Sequence, residues 1–131
     1  MRIQENLEKS KYEADGSLQI QGTTIPYHTI CEDNFFVDEE NNPVASIFSY
    51  AYFRSDVQDN SKRPILFIYN GGPGCASLWL HMGLFGPRIV KLDDELNLPT
   101  VPPFELEDNP HCLLDLCDLV FIDPAGTGLG R

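Results

Sequence analysis

The sequence predicts an α/β fold, because two apolar strands each end in a glycine-rich turn. Residues 65–69 form an unbroken apolar run before Asn-Gly-Gly-Pro-Gly, and Asp118–Asp123 precedes Pro-Ala-Gly-Thr-Gly. Short apolar runs between turn residues are typical of strands buried in a parallel sheet. A helix-containing crossover between the two runs would make them a parallel pair with both turns at one sheet edge. Ligand sites of open α/β folds lie at this edge.

Antiparallel strands are expected ahead of the parallel pair. Residues 18–30 alternate in polarity around Gly22 and predict two short strands, the second confined by Pro26 to a sheet edge or a strand start. Residues 44–54 (VASIFSYAYFR) are rich in β-branched and aromatic residues and predict a further strand. Residues 44–69 are therefore interpreted as a hairpin or meander that ends in a central strand.

The remaining segments divide the chain into a flexible N-terminal segment, residues 1–17, and a partial α/β domain, residues 18–131. A short helix is expected near residues 5–12. Residues 32–43 and 93–109 are acidic and rich in asparagine or proline, so we expect solvated loops there.

Three short elements are expected around the crossover. Residues 76–82 predict a helix that begins at the first glycine turn, so its N-terminal amides would face the same site as the turn. Residues 88–92 predict a short strand, and residues 111–116 predict one helical turn.

The composition limits the classes of partner. Nine basic and twenty acidic residues give a net charge of −11 over 131 residues, which argues against nucleic acid and anionic membrane surfaces. The sequence shows neither a signal peptide nor an apolar run of about 20 residues, so we expect a cytoplasmic protein without a membrane partner. The cysteines lack C-x-x-C spacing and paired histidines, which predicts reduced thiols and no metal; they are Cys31, Cys75, Cys112 and Cys117.

The glycine run after the second strand does not fit a nucleotide-binding loop. Gly126-Thr-Gly-Leu-Gly brings the third glycine one position earlier than the pattern G-x-G-x-x-G requires. The phosphate loop G-x-x-x-x-G-K-[ST] does not occur in the sequence either. We therefore expect no cofactor.

No residue of the sequence is placed as an activated nucleophile. The elbow G-x-S-x-G is absent, and Ser77 is expected to cap or pack the helix. Cys75 at a helix N-terminus would have a lowered thiol pKa, but a free cysteine is commonly a small buried apolar residue. His81 is expected to be a packing residue, and Asp123 is expected to hydrogen-bond the turn that follows it.

Ordered motifs carry a resemblance to a known family. Asn70-Gly-Gly-Pro-Gly-Cys-Ala-Ser-Leu resembles the N-G-G-P-G-[CSA]-[SA]-S block of the serine carboxypeptidases, which are exopeptidases with the α/β-hydrolase fold. Asn109-Pro-His-Cys and Leu119-Val-Phe-Ile-Asp-Pro-Ala-Gly-Thr-Gly resemble two later segments of the family. Trp79-Leu-His-Met-Gly and Ile25-Pro-Tyr resemble its bacterial-type branch in particular. The resemblance implies the N-terminal half of an α/β-hydrolase sheet, incomplete relative to the family.

The resemblance also implies roles for the first turn. Asn70 and Gly71 would bind the α-carboxylate of a peptide's C-terminal residue, and the Gly72 N–H would be one of two oxyanion-hole donors. Both roles suit the chemistry, because a carboxylate and a developing oxyanion need fixed N–H donors, and glycine lets a substrate approach the backbone closely.

The departures from the family limit this interpretation. Leu84 stands where many members have a carboxylate-binding glutamate. The family's nucleophile elbow, triad aspartate and triad histidine lie further along and have no counterpart in this sequence, so we expect the isolated chain to be inactive. The alternative is a non-catalytic module that self-associates or pairs with another chain, because an incomplete sheet leaves an open edge.

Overall fold

The computed structural model describes residues 8–131, which form a five-stranded sheet and a two-stranded sheet. The strands are β1 (Lys11–Ile20), β2 (Thr23–Val37), β3 (Pro43–Arg54), β4 (Ile65–Ile68), β5 (Arg88–Val90), β6 (Leu106–Asp108) and β7 (Asp118–Asp123). The helix α1 (Leu78–Leu80) continues directly into a π-helical turn, His81–Phe85, and 3-10 turns cover Asn60–Lys62 and Leu113–Asp115. The order of the larger sheet is β1-β2-β3-β7-β4.

The first hairpin is longer than the sequence predicts. β1 and β2 pair from Ile20↔Thr23 out to Lys11↔Glu32, around a two-residue turn in which Gln21 and Gly22 both have positive φ. A two-residue turn with positive φ at both positions matches the right-handed twist of the paired strands, which is why hairpins favour it. Residues 11–17 thus lie in the sheet rather than in the predicted flexible segment. A helix was also expected near residues 5–12. Positions 5–7 lie outside the described residues, and residues 8–12 are not helical.

The acidic segment after Cys31 is a strand, so the loop predicted for residues 32–43 is wrong for its first half. β2 continues to Val37 because it pairs with β3 from Tyr27↔Arg54 to the end of the hairpin. Within it, the buried carboxylate of Asp33 accepts from the Ser10 N–H at 3.0 Å and from Arg131 at 2.9 Å. Pairing with β3 along this segment outweighs the low strand propensity of acidic residues. Pro26 lies near the start of this inner strand, just before its pairing with β3 begins.

The hairpin or meander predicted for residues 44–69 is also wrong. β7 lies between β3 and β4: it pairs with β3 antiparallel and with β4 parallel. β4 is therefore an edge strand of the described sheet rather than a central one. Ile65 and Phe67 are 49% and 58% exposed, because no described element covers their face. The strand that is buried as predicted is β7, in which Leu119 and Phe121 are inaccessible to solvent.

The core lies between the larger sheet and the segments around α1 and the second 3-10 turn. Buried residues from β1, β2, β4 and β7 pack there with partly buried aromatic and leucine side chains. Its largest buried members are Leu18, Ile25, Leu114, Leu119 and Phe121. This packing fixes the carboxyl ends of β4 and β7, where both glycine turns begin.

The excursion after β5 is a surface segment that returns through β6. β5 and β6 pair antiparallel in the small sheet, and β6 was not expected from the sequence. Residues 93–105 between them are almost all exposed. Among the helices in the described part of the chain, none has the length and apolar character needed to cross a membrane.

Candidate functional site

The first glycine turn, residues 70–74, lies largely exposed at the protein surface. Gly72 and Gly74 have φ of +80° and +88°, a left-handed conformation that favours glycine. A Cβ placed on Gly71, Gly72 or Gly74 would meet no atom within 4 Å. Within residues 8–131, the N–H groups of Gly71 and Gly72 donate to no protein acceptor. The turn therefore offers consecutive free donors at a site that a ligand can approach.

The side chain of Asn70 closes this turn. Its Nδ2 lies 3.1 Å from Sγ of Cys75, so one amide hydrogen holds the two ends of the turn together. An asparagine amide carries two hydrogens and an acceptor oxygen, so a donor remains for a ligand. The structure thus places Asn70, Gly71 and Gly72 together at the end of β4, while their roles toward a ligand remain predictions.

Asp123 at the end of β7 connects the two glycine turns. Its carboxylate accepts from the Ser77 N–H at 2.8 Å, the Tyr50 hydroxyl at 3.0 Å and the Leu129 N–H at 3.2 Å. The bond to Leu129 reaches the following turn, as expected, whereas the other two were not foreseen. Because the Ser77 N–H points at Asp123, the amide of the residue that precedes the short helix is not available to a ligand. The sequence signal for this arrangement is an aspartate that ends an apolar strand.

Ser77 is a structural residue. It is fully buried, and its hydroxyl donates to the carbonyl oxygen of Ile122. This agrees with the packing role expected for it, since a hydroxyl engaged in this way is not positioned to attack a substrate.

His81 is a buried packing residue beneath the site. Its ring stacks on Phe121 with centroids 4.4 Å apart, and its Nε2 lies 2.6 Å from the Tyr52 hydroxyl. Burial lowers the pKa of His81 to about 4, and the charge of Asp123 opposes this shift only in part. The imidazole is therefore neutral at pH 7, and the Tyr52 O–H can donate to it.

The described chain shows little that suits metal or thiol chemistry. In residues 8–131 no group of three or more His, Cys, Asp or Glu side chains is placed to hold a metal ion. The four cysteines are free thiols, and burial raises the pKa of Cys112 to about 11. A surface pocket lies apart from the turn, against the β5–β6 segment, where Lys91, Asp93, Pro99 and Pro103 are among its lining residues.

Comparison with known proteins identifies relatives of one class. No family model matches the chain. The chain is 34% identical over 92 residues to the pheromone-processing carboxypeptidase KEX1 of Saccharomyces cerevisiae strain JAY291, which covers 70% of this chain and 11% of that protein. It is 31% identical over 88 residues to serine carboxypeptidase-like 36 of Arabidopsis thaliana, covering 66% of this chain and 16% of that protein.

A solved structure of the same class matches the fold. The crystal structure of Kex1(Δ)p, a prohormone-processing carboxypeptidase from Saccharomyces cerevisiae, superposes with a TM-score of 0.56 at 27% identity. The match covers 79% of this chain and 20% of that chain.

These relatives define the class to which the chain is related. They are serine carboxypeptidases, and the match to a solved carboxypeptidase supports an α/β fold. The chain spans between 11% and 20% of the length of the three relatives named above. The resemblance seen in the sequence is thereby confirmed at the level of serine carboxypeptidases. The relatives named above come from a yeast and a plant, so they do not support the bacterial-type branch.

Proposed function

We propose that this chain is the N-terminal part of a serine-type carboxypeptidase, which hydrolyses C-terminal residues from peptides. The observation that carries the proposal is the turn after β4, where Gly71 and Gly72 are exposed and their N–H groups donate to no acceptor within residues 8–131, in a chain related to serine carboxypeptidases. Its sheet is then the N-terminal half of an α/β-hydrolase sheet. The bacterial-type branch and a cytoplasmic location remain predictions from the sequence.

The turn would hold the end of a peptide substrate. Asn70 and the Gly71 N–H bind the C-terminal α-carboxylate, and the Gly72 N–H donates to the oxyanion that develops at the scissile carbonyl. Fixed donors aimed at developing charge favour the transition state, and loss of one such donor costs roughly 2.7–4 kcal/mol in a serine protease. Glycines keep the backbone accessible to the substrate.

The nucleophile and its partners would come from outside these residues. Ser77 is buried and donates its hydroxyl to Ile122 O, so it does not serve as nucleophile. A carboxypeptidase without its triad retains only the small rate enhancement of binding and oxyanion stabilisation. We therefore expect the isolated chain to bind a peptide C-terminus, to need no cofactor and to lack peptidase activity.

The test is a titration of the ¹⁵N-labelled chain with N-acetyl-Ala-Phe and, in parallel, with its C-terminal amide. We expect the free acid to shift the amide resonances of Gly71 and Gly72 and the side-chain resonance of Asn70, whereas the amide should leave them in place. Asn70→Ala should abolish the response. The matched control is Asn60→Ala, an exposed asparagine outside the turn.

Two results would contradict the proposal. Equal shifts with the acid and the amide would show that the carboxylate is not recognised. Release of phenylalanine from N-acetyl-Ala-Phe by the isolated chain, with sensitivity to Asn70→Ala, would show that the chain is active without further residues.

The exposed edge of β4 favours a second candidate, a non-catalytic assembly module. This strand has no neighbour on its outer side within residues 8–131, and its apolar residues Ile65 and Phe67 are about half exposed. An uncovered apolar edge strand is a template for pairing with another strand. A second copy of the chain or another chain would bury it.

The molar mass measured by light scattering shows whether the chain self-associates, as an assembly module would, or stays a monomer. Self-association should be weakened by Phe67→Lys, which places a charge on the exposed edge, and should not change with Phe36→Lys at the distant end of β2. A monomer at all concentrations with cooperative unfolding would count against the assembly module.

A further inference from the structure

We propose that Asp123 is a positioning residue that fixes the first glycine turn against the second, so that the Gly71 and Gly72 N–H groups are held in place for the end of a peptide substrate. This inference rests on the proposed function, because it concerns the geometry of the same site. Asp123 itself is buried, with 3% of its surface exposed.

The first argument is the set of elements that the carboxylate connects. One oxygen accepts from the Ser77 N–H, which follows the first turn, and the other accepts from Tyr50 of β3 and from Leu129 beyond the second turn. Ser77 is only three positions after Gly74, so a displacement of Ser77 reaches the turn directly. A single side chain thus sets the relative position of three separate segments.

The second argument is the close packing around Gly128. A Cβ at this position would overlap Oδ2 of Asp123 and would lie 2.9 Å from Cβ of Ala76. Gly128 also has a positive φ of +49°. The second turn therefore packs directly against the carboxylate and against the residue before Ser77, which leaves little freedom between the two turns.

The third argument is the charge of the carboxylate. Among the ion pairs of residues 8–131, the cations pair with other carboxylates and none pairs with Asp123. Its charge is stabilised by three neutral donors alone. Hydrogen bonds to an ionised acceptor are about twice as strong as neutral ones, so loss of the charge weakens all three connections together.

The experiment compares Asp123→Asn with Asp33→Asn in the ¹⁵N-labelled chain. Asp33 is the control, because it is also a buried carboxylate that accepts a backbone N–H, but its partners are Ser10 and Arg131 rather than the residues after the first glycine turn. Without ligand, Asp123→Asn should shift the Gly71 and Gly72 amide resonances, while resonances of β1 and β2 stay in place. Asp33→Asn should shift resonances near Ser10 and Arg131 and leave those of Gly71 and Gly72 in place.

Binding provides the second measurement. For N-acetyl-Ala-Phe, Asp123→Asn should raise the Kd about tenfold or more, because a displaced turn weakens hydrogen bonds to the charged carboxylate of the ligand, each of which contributes about that much to binding. Asp33→Asn should lower stability yet keep the Kd within about twofold, which separates positioning from general destabilisation. Gly128→Ala, which displaces the same carboxylate, should reproduce the effect of Asp123→Asn.

The outcomes distinguish this inference from the proposed function. If the wild-type chain binds the acid and a folded Asp123→Asn variant keeps both its Kd and its turn resonances, the inference is wrong and the proposed function stands. If the wild-type chain does not bind but Asp123→Asn still shifts the turn resonances, the proposed function fails and the positioning role is supported. Should Asp123→Asn fail to fold, Tyr50→Phe removes one donor and should shift the same resonances to a smaller extent; no shift would overturn the inference.

Discussion

The hydroxyl of Tyr52 on β3 lies 2.6 Å from Nε2 of His81, which begins the π-helical turn. This hydrogen bond joins the sheet to the helical segment that follows the first glycine turn. His81 also stacks on Phe121 of β7, so one imidazole contacts both strands beneath the site. Its protonation state and its partner therefore control how firmly the helical segment is held.

Stability should fall as the pH drops from about 6.5 toward 4. The pKa of His81 is lowered from 6.5 to about 4 by burial, so the folded state binds this proton more weakly than the unfolded state. The stabilising contribution is fully present above pH 6.5 and is lost on approach to pH 4, by up to roughly 3 kcal/mol. Urea unfolding between pH 7 and pH 4.5 measures this loss.

Two histidine variants test whether His81 causes the pH dependence of the unfolding free energy. His81→Gln should flatten the decline in unfolding free energy. His28→Gln should not, because the hydrogen bond to Asp15 raises the pKa of the exposed His28 and gives its contribution the opposite sign. An unchanged slope in His81→Gln would show that another group causes the decline.

Tyr52→Phe should destabilise the chain by about 1–3 kcal/mol, because it leaves the buried Nε2 of His81 without a partner. Tyr12→Phe removes a hydroxyl from an exposed tyrosine and should cost less than about 0.5 kcal/mol. Urea midpoints of the two variants at pH 7 provide the comparison. Equal midpoints would indicate that the hydrogen bond does not hold the helical segment.

Arg63→Met should cost about 3–5 kcal/mol, because it leaves the buried carboxylate of Asp118 without its cation. The guanidinium lies 3.0 Å from that carboxylate and also donates to Leu114 O at 2.9 Å. Arg88→Met removes an exposed pair with Asp108 and should cost about 1 kcal/mol or less. Thermal unfolding of both variants checks the difference, and similar melting temperatures would argue against a strong role for the buried pair.

Gly86→Ala should destabilise by about 1–3 kcal/mol through steric overlap. A Cβ at Gly86 would collide with the carbonyl oxygen of His81 and lie 3.0 Å from its Cδ2. Gly83→Ala, three positions earlier, meets nothing within 4 Å and should be neutral or stabilising by up to about 1 kcal/mol. The sign of the difference in unfolding free energy tests the packing around His81, since equal effects would exclude the overlap.

The elements that sequence reasoning predicted well are those with strong local signals. β3 is rich in β-branched and aromatic residues, and β7 is a short apolar run bounded by turn residues. The glycines at 72 and 74 adopt positive φ, as their turn composition indicates. Ser77 and His81 were expected to be packing residues and are buried.

The errors concern pairing and burial. β4 has the same apolar pattern as β7, yet it lies at the sheet edge with Phe67 exposed, because burial depends on neighbours that the pattern does not contain. The acidic half of β2 has low strand propensity, but pairing with β3 makes it a strand.

The sequence by itself determined two strands that end in glycine turns, the residues of the candidate ligand turn and the relation to serine carboxypeptidases. Only the tertiary structure decided that β7 separates β3 from β4 and that Asp123 joins Ser77, Tyr50 and Leu129. The physical reason is the sequence separation between the residues that determine each feature. Turn conformation and strand propensity are set by neighbouring residues. Strand order and a buried hydrogen-bond network depend on contacts between residues far apart in the sequence: Ser77 lies 46 positions and Tyr50 lies 73 positions from Asp123.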